Sequence, residues 1–145
     1  KLTIQLHGGT LHSSGALAVR LLAGRDPIKI GAYPDPANQI IREGSEDWRL
    51  TLDILDPWFC CMGIKNSGWF PGTYGAHGQR AWHSDWYGLD EGMVPWNEIV
   101  PHLVATGFAG VLSMHSQYRV SREQALDKVR ADLAHLRRLV AAAKE

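Results

Sequence analysis

Residues 60–69 read CCMGIKNSGW. This is a short β-prone run that stops at Asn66-Ser67-Gly68, which reads as a turn, and hands over to a Trp-rich segment. On a strand, Cys61, Gly63 and Lys65 share one face, and Met62, Ile64 and Asn66 share the other. A lysine at the end of a buried-type strand, just before a loop, stands where an α/β protein keeps its chemistry. Three other strands in the chain end in polar residues as well.

The first of them is Leu2–His7, with Leu2, Ile4 and Leu6 on one side and Thr3, Gln5 and His7 on the other. After Gly8-Gly9, Ser13 or Ser14 caps a helix that runs to about Ala23 and is stopped by Gly24. A second strand starts at Ile28 (IKIGAYPD) and places Lys29, Gly31, Tyr33 and Asp35 on one face, with Pro34 and Pro36 ending it. The reading then expects a loop and a helix capped by Ser45, with Trp48, Leu52 and Leu55 as its buried stripe. Downstream of the opening strand, residues 67–94 read as one long βα connection holding Trp69, Trp82 and Trp86 among glycines, together with His77, His83 and Asp85. Connections this long are usually functional or disordered, and the aromatic content favours an ordered lid. Pro95 opens a helix that Pro101 should kink, and the last unit is a strand over Phe108–Tyr118 followed by a long amphipathic helix capped by Ser121.

The order is therefore β-α four times over, which implies a parallel sheet with right-handed crossovers. Four such units make a small doubly wound sheet or half of an eight-stranded barrel. A whole barrel takes about 250 residues, and this chain has 145. Strands covered on both faces read as continuous apolar runs. Here each strand has one polar face: Gln5/His7, Lys29/Asp35, Lys65 and Ser113/His115/Gln117. A barrel lumen near its C-terminal mouth accounts for that face, so the expectation is a single domain, 1–145, made of half a barrel.

Fifteen basic residues balance fifteen acidic ones, and with no basic stripe, nucleic acid is not the expected partner. The longest apolar runs are too short to cross a bilayer. Residues 1–7 carry a strand pattern rather than the apolar core of a signal peptide, and the chain starts at Lys1, as a processed, excised or longer protein would give. Cys60 and Cys61 are adjacent and read as small hydrophobes in a reducing, cytoplasmic setting.

LHGGTLHSS (6–14), IGAYPDPAN (30–38), MGIKNSGW (62–69) and GLDEGMVPWNEIVPHLVATGFAGVLSMHSQY (88–118) together resemble the sugar phosphate isomerase/epimerase family. The resemblance implies the xylose isomerase-like TIM (β/α)8 barrel, of which this chain matches the C-terminal half. It further implies aldose–ketose isomerisation or epimerisation of a small sugar or sugar phosphate, with a divalent metal (Mn, Mg, Co or Zn) held by one ligand from each of four successive strands. Carried over by position, the first Glu ligand falls on Gln5, with His7 after it. The Asp ligand is kept as Asp35, followed by Asn38. The His ligand falls on Gly63, with Lys65 and Asn66 matching beyond it. The last Glu falls on Gln117, between His115 and Tyr118.

Two amides in place of carboxylates remove two negative charges, and glycine supplies no ligand, so Asp35 is expected to be a weak remnant and the metal absent or weakly bound. An amide cannot take up a proton at neutral pH either, so no catalytic base is assigned. Gln5, His7, Asn38, Lys65, Asn66, Trp69, His115 and Gln117 are expected to line a sugar site, with His77, His83 and Asp85 as solvated positions. Two functions follow: an altered isomerase/epimerase, or a non-catalytic sugar-binding or scaffold domain derived from one. A half barrel leaves two open strand edges, so the expected partner is an N-terminal half or a second copy.

Overall fold

The computed structural model describes residues 1–42 and 46–145. The strands are β1 (Leu2–Gln5), β2 (Ile30–Tyr33), β3 (Cys61–Ile64), β4 (Asn66–Tyr74), β5 (Arg80–Tyr87) and β6 (Val111–Met114). The α-helices are α1 (Gly15–Leu22), α2 (Pro36–Arg42), α3 (Trp48–Leu55), α4 (Trp96–Ala105) and α5 (Arg122–Ala142).

β1 pairs in parallel with β2, and β3 in parallel with β6. A parallel bridge between Ala32 and Phe59, with bonds from Cys60 N to Ala32 O (3.3 Å) and from Gly63 N to Pro34 O (3.0 Å), joins the two pairs. The result is a four-stranded parallel wall in the order β1-β2-β3-β6. Its outward side chains bury against the helices in two clusters. Leu6, Ala32, Ala18, Leu22 and Leu55 form one; Met62 and Ile64 with Trp96, Ile99, Val100 and Leu136 form the other. The inward face carries Gln5, Tyr33, Gly63 and Ser113, as the alternation predicts.

The helix ends follow local chemistry. Ser14 caps α1 by accepting from Leu17 N, and the Glu46 carboxylate takes the Gly15 and Ala16 amides at 2.6 and 3.1 Å, where the helix dipole favours an anion. Gly24 follows with φ of 75°, a conformation that only glycine adopts freely. Ser121 and Gln124 close a capping box on α5.

Several expectations need correction. The segment 67–94 is not a single irregular connection: its first three-quarters belongs to an antiparallel hairpin of β4 and β5, registered from Asn66↔Tyr87 to Pro71↔Trp82 and shifted by a bulge before Tyr74↔Arg80. Asn66 opens β4 instead of turning. The second strand starts two residues later than Ile28, which is exposed, and β6 is confined to Val111–Met114. The expected Ser45 cap lies outside the described residues; α3 is capped by Asp47, which accepts from the Arg49 and Leu50 amides. The stretch after β2 is helical from Pro36 onward.

Both outer edges of the wall are unpaired among the described residues. Leu2 on β1 and Val111 on β6 are exposed, as are Leu17 and Leu21 on α1 and Leu126 on α5. Within the same residues, no helix is long and apolar enough to cross a membrane.

Candidate functional site

The polar residues of the wall converge at the C-terminal ends of its strands, and Asp35 is the centre. Pro34 withholds an amide from the ladder and ends β2. Pro36 then occupies the first position of α2, where a missing amide costs nothing. Asp35 between them is the helix cap: its Oδ1 accepts from Asn38 N at 3.1 Å. Its Oδ2 faces inward and accepts from Gln5 Nε2 at 2.7 Å and from Lys65 Nζ at 3.0 Å. The carboxylate has no exposed surface, and Lys65 is only 5% exposed.

Lys65 follows β3 directly. Its ammonium also donates to Asn38 Oδ1 at 2.9 Å and lies 4.4 Å from the centre of the Trp86 ring on the hairpin, within cation–π range. Asn38 in turn donates to the Leu6 carbonyl, tying β1 to the pair. His115, just past β6, brings Nδ1 to 3.6 Å from Asp35 Oδ2, an electrostatic contact rather than a hydrogen bond. Its Nε2 and the Tyr33 hydroxyl are hydrogen-bonded to each other. Burial holds the imidazole below its ordinary value, with Asp35 pulling the other way and Lys65 adding to the decrease. Burial likewise raises the Tyr33 phenol, helped by Cys61 and Asp35 and opposed by a bond to Ser113. Both shifts favour the neutral form of the side chain.

Of the residues read from sequence, Gln5, Asp35, Asn38, Lys65 and His115 come together in this cluster. The others sit apart. His7 Nδ1 donates to the Gly8 carbonyl. Gln117 is exposed beyond β6. Trp69 is 40% exposed on the hairpin and donates to the Ile40 carbonyl at 2.9 Å. Asn66 is buried, and its amide is occupied by main chain: it donates to Leu89 O and Val94 O and accepts from Val94 N and Ser67 N. Tyr33 and Trp86 belong to the cluster without having been assigned to it. The signal for Tyr33 was its place on the Asp35 face, in register with Gln5.

The donor set does not suit a divalent ion. Among the described residues Asp35 is the single carboxylate of the cluster, and its oxygens already face two amides, an ammonium and an imidazole. A Cβ on Gly63 would stand 3.0 Å from Asp35 Oδ2, so the carboxylate fills the space a ligand there would need. Among the described residues no three His, Cys, Asp or Glu side chains group as metal ligands, and every buried polar side-chain atom has a partner. What the cluster offers is a neutral array of donors and acceptors, with a phenol and an imidazole at its open side. A cavity of about 370 Å³ near Phe59, Cys60 and Phe108 lies at the opposite end of the wall, away from this chemistry.

Comparisons with known proteins place the fold. No family model matches the chain, and no curated protein matches it in sequence. Among solved structures it is similar to a xylose isomerase-like TIM barrel protein from Mycobacterium smegmatis in complex with magnesium, with a TM-score of 0.75 and 18% identity over 99% of this chain and 44% of that one. It is also similar to L-ribulose 3-epimerase, with a TM-score of 0.66 and 16% identity over 99% and 48% of the two chains. D-psicose 3-epimerase from Clostridium cellulolyticum H10, solved with D-tagatose, gives 0.63 and 12% over 95% and 48%. The fold is thus half of a xylose isomerase-like TIM barrel, and the chain spans less than half the length of these structures.

Proposed function

We propose that this chain forms the C-terminal half of a sugar isomerase/epimerase-like barrel mouth, in which the usual metal ligands have been replaced and the ligand is a small ketose or aldose. The observation that carries this reading is the inward cluster of Gln5, Asp35, Asn38, Lys65 and His115 at the strand ends, the end at which α/β barrels place their sites. Its amides and ring groups both donate and accept, which suits hydroxyls. L-ribulose 3-epimerase and a D-psicose 3-epimerase holding D-tagatose share the half-barrel fold, which supports the choice of sugars. The two unpaired edges and the apolar side chains beside them support completion of the barrel by a second parallel half.

A non-catalytic sugar-binding domain is the second reading, favoured by the pairing of Asp35 with Lys65 and by the absence of a second carboxylate beside it among the described residues. NMR titration with D-tagatose and L-ribulose tests both. Shifts centred on Gln5, Tyr33, Lys65 and His115 are expected, whereas no shift with either sugar refutes the site. Prolonged incubation with each sugar then separates the readings: conversion to an isomer or C3 epimer, followed by ¹³C NMR, marks an enzyme, and no conversion by a protein that binds the sugar marks the binding domain.

A further inference from the structure

Asp35, Lys65 and Gly63 form one interlocked arrangement. The Asp35 carboxylate lies over the strand at Gly63, where an added Cβ would meet Oδ2 at 3.0 Å and Cγ at 3.1 Å. In that position it reaches Lys65 Nζ at 3.0 Å. A Cβ at 63 would press on the carboxylate and force it to shift by a few tenths of an ångström, so the glycine leaves the room in which the contact forms. Asn38 Oδ1, 2.9 Å from the ammonium, and the Trp86 ring, 4.4 Å away, fix the charge from other sides. Among the described residues one ammonium faces one carboxylate, and Gln5 adds a neutral donor at 2.7 Å where a second acid would add a further negative charge.

We propose that the Lys65 ammonium is the resident cation of this mouth, standing beside Asp35 where a divalent ion would otherwise sit, so that the site takes a neutral polyhydroxylated sugar without metal. The sugar in this statement rests on the function proposed above; the cation assignment rests on the Asp35–Lys65–Gly63 geometry alone. A metal ion on Asp35 would stand beside the Lys65 ammonium, and like charges repel more strongly in a buried site than in water. The proposal therefore expects the lysine contact to compete with metal binding at Asp35.

The experiment is a Mn²⁺ titration of the full chain, followed by calorimetry and by the ¹⁵N-edited signal of the Lys65 ammonium. The expected result is no Asp35-dependent heat and no paramagnetic broadening of that signal. In parallel, Lys65→Met is melted with and without methylammonium, a small cation able to enter the vacated space, using tetramethylammonium as the control. Lower stability that methylammonium partly restores is expected. Stoichiometric Mn²⁺ binding to the native chain that disappears in Asp35→Asn overturns the proposal, as does a Lys65→Met variant that melts like the native chain. If Lys65→Met does not fold, the native titration decides alone. Failure to bind sugar with no response to Mn²⁺ refutes the sugar reading and supports the cation assignment; Mn²⁺ bound at Asp35 together with sugar binding does the reverse.

Discussion

Asn66 offers a sharp separation between a ligand-binding and a structural role. Its amide donates to Leu89 O at 2.7 Å and Val94 O at 3.3 Å, while its carbonyl accepts from Val94 N at 2.8 Å and Ser67 N at 2.9 Å. These bonds fasten the base of the hairpin to the segment that enters α4. Asn66→Asp keeps the shape and turns both donated bonds into oxygen–oxygen repulsion at a residue that is 1% exposed. Each stranded carbonyl costs about 1–3 kcal/mol, so a total loss of roughly 3–5 kcal/mol follows once the buried charge is included. For a domain of this size that lowers the melting temperature by roughly 10–15 °C. Thermal melts followed by far-UV dichroism, and by the near-UV signal of the indoles, are the assay. Gly92→Ala, whose new Cβ would overlap Asn66 Oδ1, should produce the same phenotype. An Asn66→Asp variant that melts like the native chain but no longer responds to ketose would refute this reasoning and make Asn66 a ligand group.

Two further outcomes follow from the same geometry. Gly63→Ala should destabilise by about 1–3 kcal/mol through overpacking, because its Cβ meets Asp35 at 3.0 Å; an unchanged melting temperature would mean the carboxylate is not held against β3. Glu91 titrates below its ordinary value, first because Gly88 N donates to it at 2.9 Å and then because Lys128 lies 3.2 Å away. A depressed carboxylate contributes stability that is fully present above the unfolded value of 4.5 and is lost as pH falls through the lower folded value. Since the side chain is half exposed, the contribution after screening is below about 1 kcal/mol. Glu91→Gln should lower stability at neutral pH by up to that amount and flatten the pH–stability curve below 4.5, where the two proteins converge; an unaltered acid slope would remove Glu91 from the account.

Periodicity made the parallel wall readable. Each of its four strands alternates between an apolar side that meets helices and a polar side that does not, and that asymmetry pointed to a barrel instead of a doubly wound sheet. The hairpin was not readable for an equally physical reason. Pro71 and the flanking glycines argue against a strand, yet in a two-stranded ribbon every strand is an edge, and Pro71 opposite Trp82 loses no partner that the register requires. In the site, the polar face identified Gln5, Asp35, Lys65 and His115 together. Which of them would touch was not legible, since the Asp35–Lys65 contact depends on space above Gly63 that only the folded backbone defines. In sequence Gly63 looks like a ligand lost; in the fold it is room for a carboxylate. Gln117 lies three residues past the end of β6 and is exposed, so strand alternation does not fix which way it faces.

The Asp35 cap has a consequence for how such chains are recognised. Because Asp35 starts α2 through Asn38 N and is followed by a proline suited to the first helical turn, D-P-x-N is a folding signal in its own right. Finding D-P-x-N in a chain is therefore evidence for this helix start before it is evidence for a metal, since losing the aspartate would remove the cap of α2 together with the counter-charge of Lys65.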